Sequence, residues 1–212
     1  MNFKEFHNAM LSFVVFSYED INGVFGHIDR RRLFEWSQKE YIIPVIRGYY
    51  VFSEFKETED LGLLISNRIY EPSYLSLEYI LSMESIIPEA VYTFTAISTR
   101  KTSAFNTSFG NYSYRNIKNE LFLGYDLRKI KINLPGRVLE RFVKVAKPEK
   151  AFFDFVYLKK KPLNDKEIIE YRFDGSMIKK MNQEQLFSYV SLSKKKTVEL
   201  NIKKILKLHD IY

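Results

Sequence analysis

The sequence predicts an α+β protein with an N-terminal winged helix-turn-helix and a larger α+β domain, in which helices flank a small sheet. Apolar residues recur at helical spacing through the first 38 residues, and two β-prone runs then surround Arg47-Gly48. Between about residues 90 and 127 the apolar period changes to two, before helical spacing returns. The polar stretch SEFKETEDLG separates the two patterns. We therefore predict domains at residues 1–55 and 56–212.

Composition excludes several classes of function. The 212 residues contain no cysteine, and the three histidines, His7, His27 and His209, are widely separated. We therefore expect no disulfide, no metal site and no cofactor. No run approaches the roughly 18 apolar residues of a membrane-spanning helix, and the N-terminus is too charged for a signal peptide. The sequence thus predicts a cytoplasmic protein that does not bind membranes.

Three helices are predicted in the first domain. Apolar residues at helical spacing place the first helix at residues 3–15. Ser17 and Asp20 have the spacing of a capping box, and Gly26 suits a helix end, so the second helix covers about Tyr18 to Phe25. Asp29 can cap a third helix. Two short helices joined by a glycine-containing turn are typical of a helix-turn-helix.

Arg30, Arg31 and Arg32 occupy the first turn of the third helix. Each cation typically costs about 0.3–1 kcal/mol there, because the helix dipole is positive at its N-terminus. In a helix-turn-helix the N-terminal residues of the second helix face base edges and phosphates, which is a reason to accept this cost. The alternative is a solvated basic helix end, partly neutralised by Asp29 and Glu35.

The runs YIIPVI and YYVF predict a hairpin that would serve as the wing. Arg47 at its tip could reach phosphate or the minor groove, and the hydroxyl of Tyr49 or Tyr50 could add a contact. Alternatively, these tyrosines pack back on the helices. Glu40 stands where many winged helices have glycine, so the turn into the hairpin is expected to be strained or longer.

In the second domain we predict helices at about residues 59–67 and from Pro72 to before Pro88. A sheet of three or four strands follows, drawn from AVYTFTAIST, TSFGNYSYRNI and LFLGYDL. Helical structure is predicted again across VLERFVKVAKPEKAFFDFVYLKKK, and two more helices from about Asn182.

Four blocks in order, PSYLSLE, STRKT, FGNYSY and KPEKAFFD, resemble the AbiEi-type antitoxins of type IV toxin-antitoxin (abortive infection) systems. The resemblance covers about residues 12–160. It implies a winged helix that represses transcription by binding inverted repeats in its own promoter, on double-stranded DNA. It also implies a second domain that counteracts a nucleotidyltransferase-like toxin without a stable complex. Carried over, the DNA contacts would be Arg30, Arg31, Arg32, Lys39 and Arg47, and Arg100 and Lys101 would lie in the core motif of the antitoxin domain. The hairpin prediction adds Tyr49 to the DNA contacts.

Two other interpretations remain open. The order of elements in the second domain is also compatible with a metal-dependent nuclease, with Glu78 beside Arg100-Lys101. The necessary acid-x-lysine strand is missing, so we predict no catalytic residues and no enzyme activity. The chain could instead be a winged-helix regulator whose second domain senses a ligand or dimerises.

The basic surplus lies in the second half of the chain. Residues 101–212 hold 24 Lys and Arg against 12 Asp and Glu. The lysine triplets at 159–161 and 194–196 follow apolar helices, where a solvated face is the usual explanation. A second surface that contacts DNA is the alternative.

Overall fold

A computed structural model describes residues 2–134 and 136–211. Residues 2–55, called the N-terminal segment, contain three α-helices and three strands. In chain order these are α1 (Phe3–Met10), β1 (Val15–Ser17), α2 (Tyr18–Phe25), α3 (Arg30–Gln38), β2 (Ile42–Ile46) and β3 (Tyr49–Phe52). The strands form an antiparallel sheet in the order β1-β3-β2.

Local capping fixes α2 and α3 where the sequence predicts them. The backbone N–H of Asp20 donates to the Ser17 hydroxyl at 3.0 Å, and the Asp20 carboxylate accepts from the Ser17 backbone at 2.6 Å. Gly26 ends α2 with a φ of +76°. Asp29 caps α3 by accepting from the Arg31 backbone at 2.9 Å. Both helices are thereby confirmed.

The predicted first helix is too long. It gives way to a 3₁₀ turn at Leu11–Phe13, and Val15–Ser17 then pair with β3. The hairpin is confirmed, with Gly48 in its turn at a φ of +86°. The strained turn that we expected also occurs, since Glu40 has a φ of +54° in the region that favours glycine.

The rest of the chain folds around a six-stranded mixed sheet, in the order β6-β7-β5-β4-β9-β8. The strands are β4 (Ser73–Leu75), β5 (Phe94–Ser98), β6 (Ser103–Thr107), β7 (Gly110–Asn116), β8 (Tyr125–Leu134) and β9 (Arg137–Ala146). The helices are α4 (Leu61–Arg68), α5 (Leu77–Met83), α6 (Pro148–Tyr157), α7 (Asp165–Glu170), α8 (Gly175–Lys180), α9 (Gln183–Ser193) and α10 (Lys196–Leu208). The predicted α+β class is confirmed.

Several predicted elements are wrong in this part. The sheet has six strands and not three or four. The helix predicted from Pro72 begins only at Leu77, because Ser73–Leu75 form a strand between β5 and β9. VLERFVKVA is strand β9 and not helix, while α6, α9 and α10 agree with the predictions. Helices α7 and α8 were not predicted.

The sheet separates two layers, as two neighbouring side chains of β4 demonstrate. The Ser73 hydroxyl donates to the Ser66 carbonyl of α4 at 3.4 Å, whereas the Tyr74 hydroxyl donates to Asp154 of α6 at 2.9 Å. Because successive strand residues point to opposite faces, α4 and α6 cover opposite faces. Helices α5, α9 and α10 pack against α6.

The N-terminal segment packs against α4, where an Arg68 Nη2 lies 2.7 Å from a carboxylate oxygen of Asp20. The buried apolar side chains form one continuous cluster that includes residues from both predicted domains. Within residues 2–134 and 136–211, no helix has the length and apolarity to span a bilayer.

Candidate nucleic-acid interface

Helix α3 buries one face and exposes a chemically mixed one. Leu33 and Trp36 lie in the core, as their helical spacing requires. The three arginines of the first turn, Arg30 to Arg32, are all exposed. Phe34 is 67% exposed, and Gln38 is also exposed further along the helix. Sequence reasoning selected the arginines and missed Phe34, although its place opposite the buried pair was the signal.

Tyr18 joins the N-terminus of α3 to the turn of the hairpin. The Arg30 guanidinium lies 4.6 Å from the centre of the Tyr18 ring, a cation–π contact. The Tyr18 hydroxyl donates to the Ile28 carbonyl at 3.1 Å, just before α3 begins. Its backbone N–H donates to the Gly48 carbonyl at 2.9 Å. The first turn of α3 and the hairpin turn therefore lie at one edge of the N-terminal segment.

Arg47 and Lys39 lie at different places relative to this edge. Arg47 is exposed in the hairpin turn, directly before Gly48. Lys39 is the exposed residue that ends α3. A helix rises about 1.5 Å per residue, so Lys39 lies about 13 Å along the axis from Arg30. Arg47 therefore extends the edge defined by Tyr18, and Lys39 lies at the far end of α3.

Tyr49 is half-buried where the N-terminal segment packs against α4. Burial raises the pKa of its hydroxyl; Arg68 opposes this shift, and the carboxylates of Glu71, Glu19 and Asp20 add to it. Two of these carboxylates, Asp20 and Glu71, are paired with Arg68, so the hydroxyl lies near a salt-bridge network that is already satisfied. We therefore leave Tyr49 out of the interface.

Its neighbour Tyr50 packs against the core, as the alternative interpretation of the two tyrosines expects. Its ring stacks on that of Phe16 at a centroid distance of 6.1 Å. Neither tyrosine therefore belongs to the exposed edge beside Tyr18.

Arg100 and Lys101 lie in the loop between β5 and β6, which several contacts hold in place. The Arg100 guanidinium lies 4.3 Å from the centre of the Tyr70 ring and donates to the Glu71 carbonyl at 3.2 Å. The Tyr70 hydroxyl donates to the Lys101 carbonyl at 2.6 Å. The Asn116 amide donates to the Arg100 carbonyl at 2.8 Å. These contacts hold the loop in place and give Arg100 a structural role.

A buried ion pair in α6 was also missed by the sequence reasoning. Lys150 contacts Asp154 one helical turn away, and both side chains are completely buried. Asp154 also accepts from the hydroxyls of Tyr74 at 2.9 Å and Ser76 at 2.8 Å. Burial raises the pKa of Asp154 and lowers that of Lys150, while the mutual attraction of the pair opposes both shifts. The pair has no access to solvent and therefore belongs to the core.

Metal binding has no candidate in the part of the chain that the structure describes. It contains no group of three or more His, Cys, Asp or Glu side chains that could hold an ion. No protein-family model matches this chain, and neither does any curated protein.

Proposed function

We propose that this protein is a DNA-binding transcriptional autorepressor and an antitoxin. In this proposal residues 1–55 act as a winged helix-turn-helix, with α2 and α3 as its two helices and the β2–β3 hairpin as its wing. The order of the elements and the β1-β3-β2 sheet support this assignment. The target would be double-stranded DNA with inverted repeats in the promoter of the protein's own gene.

The contact of Tyr18 with both Arg30 and Gly48 carries the proposal. A helix-turn-helix reads bases through the N-terminal residues of its second helix. A wing contributes most when it meets the backbone beside that helix. Through Tyr18, the first turn of α3 and the turn that bears Arg47 share one exposed edge. An elongated polyanion could engage both elements at once.

The exposed face of α3 has side chains suited to base edges. Arginine forms a bidentate pair with guanine, glutamine with adenine, and an apolar side chain contacts the thymine methyl group. Arg31, Phe34 and Gln38 supply these three chemistries at spacings of three and four residues, so they lie on one side of the helix. An exposed phenylalanine among arginines is better explained by base contact than by phosphate contact.

The antitoxin role rests on the resemblance of residues 12–160 to AbiEi-type antitoxins. We propose that the second predicted domain opposes a nucleotidyltransferase-like toxin in the cytoplasm without forming a stable complex and without enzyme activity of its own. Co-expression with the toxin of a neighbouring reading frame tests this role. Growth should recover with the full chain, and no complex should survive gel filtration.

DNA binding is tested with a salt titration on the protein's own upstream DNA. The variant replaces Arg30, Arg31 and Arg32 with alanine. A matched control replaces Lys194, Lys196 and Lys207 with alanine. These three exposed lysines lie at the end of α9 and in α10, and their loss removes the same amount of charge. We expect the arginine variant to lose at least about 1–3 kcal/mol of specific binding, which is the usual value of one base contact. The lysine control should lose much less.

A loss below about 0.5 kcal/mol in the arginine variant would remove α3 from the interface, since a contact to bases or phosphates has a larger effect. An equal loss in both variants would mean that the binding depends on net charge alone. A loss confined to the lysine control would favour a DNA surface in the second half of the chain.

A further inference from the structure

A polar cleft of about 520 Å³ opens on the α6 side of the six-stranded sheet. It lies between α5, the end of α6 and the strands β5 and β7. This volume is within the usual range for small-molecule sites. It is far too small for a DNA duplex. The side chains that give the cleft its chemistry come from separate parts of the sequence and are Glu78, Tyr92, Thr93, Ser113, Arg115 and Lys159.

Successive side chains of β7 point to opposite faces of the sheet. Tyr112 and Tyr114 are buried, and the Tyr114 hydroxyl donates to the Ser66 carbonyl of α4 at 2.7 Å. Ser113 and Arg115 consequently point to the other face, which is the floor of the cleft. A strand face that presents a hydroxyl and a guanidinium is suited to an anionic ligand.

Two cations border the cleft without a carboxylate partner in the described residues. Arg115 is exposed. The ammonium of Lys159 lies 4.0 Å from the centre of the Phe155 ring and 4.7 Å from that of Tyr171. Aromatic rings position a cation without neutralising its charge. The cleft thus has two cations, one of them held in place, that are free to bind phosphate.

The remaining groups are suited to the rest of a nucleotide. Tyr92 is 86% exposed at the mouth of the cleft, and base stacking on an exposed aromatic ring is worth about 1–3 kcal/mol. Glu78 is half-buried at the start of α5 and can accept hydrogen bonds from ribose hydroxyls or base amino groups. The hydroxyls of Thr93 and Ser113 can donate to phosphate oxygens.

A second cavity has more positive charge but less varied chemistry. About 590 Å³ in volume, it lies beside Lys194, Lys195 and Lys196 at the junction of α9 and α10. Lys195 lies 3.8 Å from the centre of the Tyr157 ring, and Lys203 pairs with Glu199 at 2.8 Å. The Ser191 hydroxyl already donates to its own helix. The lining residues of this cavity include no exposed aromatic ring on which a base could stack. This lysine cavity therefore serves as a control for binding that depends on positive charge alone.

We propose that the cleft beside β7 binds a free nucleoside triphosphate. Arg115 and Lys159 hold the phosphates, Tyr92 stacks on the base, and Glu78 accepts hydrogen bonds from the ribose or the base. This inference does not depend on DNA binding by α3, because the cleft and α4, on which the N-terminal segment packs, lie on opposite faces of the sheet.

Isothermal titration of the full chain, without DNA, tests the proposal with ATP, GTP, CTP, UTP and inorganic triphosphate. We expect at least one nucleotide to bind more tightly than triphosphate. Arg115→Ala should weaken binding about tenfold to hundredfold, the usual loss for a hydrogen bond to a charged group. Lys159→Met, which keeps the aliphatic stem against Phe155 and Tyr171, should do the same. The control Lys194→Ala/Lys196→Ala should bind as the unmodified chain does.

The role of the Tyr92 ring is tested by comparing the binding of nucleotide and of inorganic triphosphate. Tyr92→Ala should bring nucleotide affinity closer to that of inorganic triphosphate, with the contact of Glu78 retained, and should leave triphosphate binding unchanged. Equal binding of triphosphate and nucleotides by the unmodified chain would overturn the nucleotide assignment. Absence of binding at millimolar ligand would overturn the site itself, as would a loss seen in the lysine control but not in Arg115→Ala. None of these results depends on whether α3 binds an operator.

Discussion

Lys150 is a cation whose side chain has no exposed surface, and its interaction with Asp154 one turn away makes this position tolerable. We predict that Lys150→Met lowers the free energy of unfolding at pH 7 by about 3–5 kcal/mol, because a buried carboxylate is left without its counter-ion. Urea denaturation measures this change. The double variant Lys150→Met/Asp154→Asn should lose less than the sum of the two single losses.

The loss in Lys150→Met should shrink as the pH falls. Burial raises the pKa of Asp154, and removal of the lysine raises that pKa further. Below the raised folded pKa and above the unfolded value of about 3.9, the folded state binds more protons than the unfolded state. Stability of the variant therefore increases from pH 7 towards pH 5. A loss that stayed constant over this range would mean that Asp154 stays ionised in the folded variant, and it would contradict the raised pKa.

At the scale of elements, the contribution of the β2–β3 hairpin to DNA binding can be tested separately from that of α3. Arg47 is exposed in its turn, beside the backbone link from Gly48 to Tyr18. If Arg47 contacts a phosphate, Arg47→Ala should weaken binding to every DNA sequence and reduce the salt slope by about one unit. Binding to the operator and to random DNA over a range of salt concentrations measures this. Lys118→Ala, an exposed lysine far along the chain, should leave the slope unchanged.

Elements defined by local hydrogen bonds were predicted well from the sequence. Helices α2 and α3 begin directly after Ser17 and Asp29, because those side chains accept hydrogen bonds from free backbone N–H groups in the first turn. Strand β9 was mistaken for a helix because Val138, Leu139, Phe142 and Val143 fit helical spacing. Pairing with β8 decides their structure, burying Leu139 and Val143 and exposing the other two. The two strands form a hairpin, with Leu134 opposite Arg137 and Gly136 between them at a φ of +71°, so the missed signal was a turn.

The candidate sites could also be predicted only where a local element supplies their residues. Arg30 and Arg47 could be predicted because each belongs to a recognisable local element, the first turn of a helix and a hairpin turn. The cleft could not, because Glu78, Arg115 and Lys159 come from two helical segments and one strand that only the folded sheet brings together. The lysine triplet at 159–161 contributes one residue to the cleft, and its sequence does not distinguish that residue from the other two.

At the scale of the whole molecule, the sheet separates the proposed DNA surface from the cleft. Helix α4 and the N-terminal segment lie on one side, and α6 with α9 and α10 lies on the other. The lysines of α9 and α10 are therefore poorly placed to contact the DNA that α3 would bind. Nucleotide binding could influence α3 only through the sheet and α4.

Arg68 supplies an ion pair between α4 and the N-terminal segment, in addition to the apolar core that the two share. It pairs with Asp20 at 2.7 Å and with Glu71 at 3.0 Å, and the Asp20 pair is the less exposed of the two. Arg68→Ala should lower the free energy of unfolding by about 1–2 kcal/mol, between the values for exposed ion pairs and for shielded charged hydrogen bonds. Glu71→Gln, which leaves the Asp20 pair intact, should lose less than about 0.5 kcal/mol.

Because Asp20 also caps α2, Arg68→Ala should additionally weaken operator binding if the orientation of α2 and α3 matters. Urea denaturation and operator titration of the two variants separate these effects, and equal stability losses would remove Arg68 as the link.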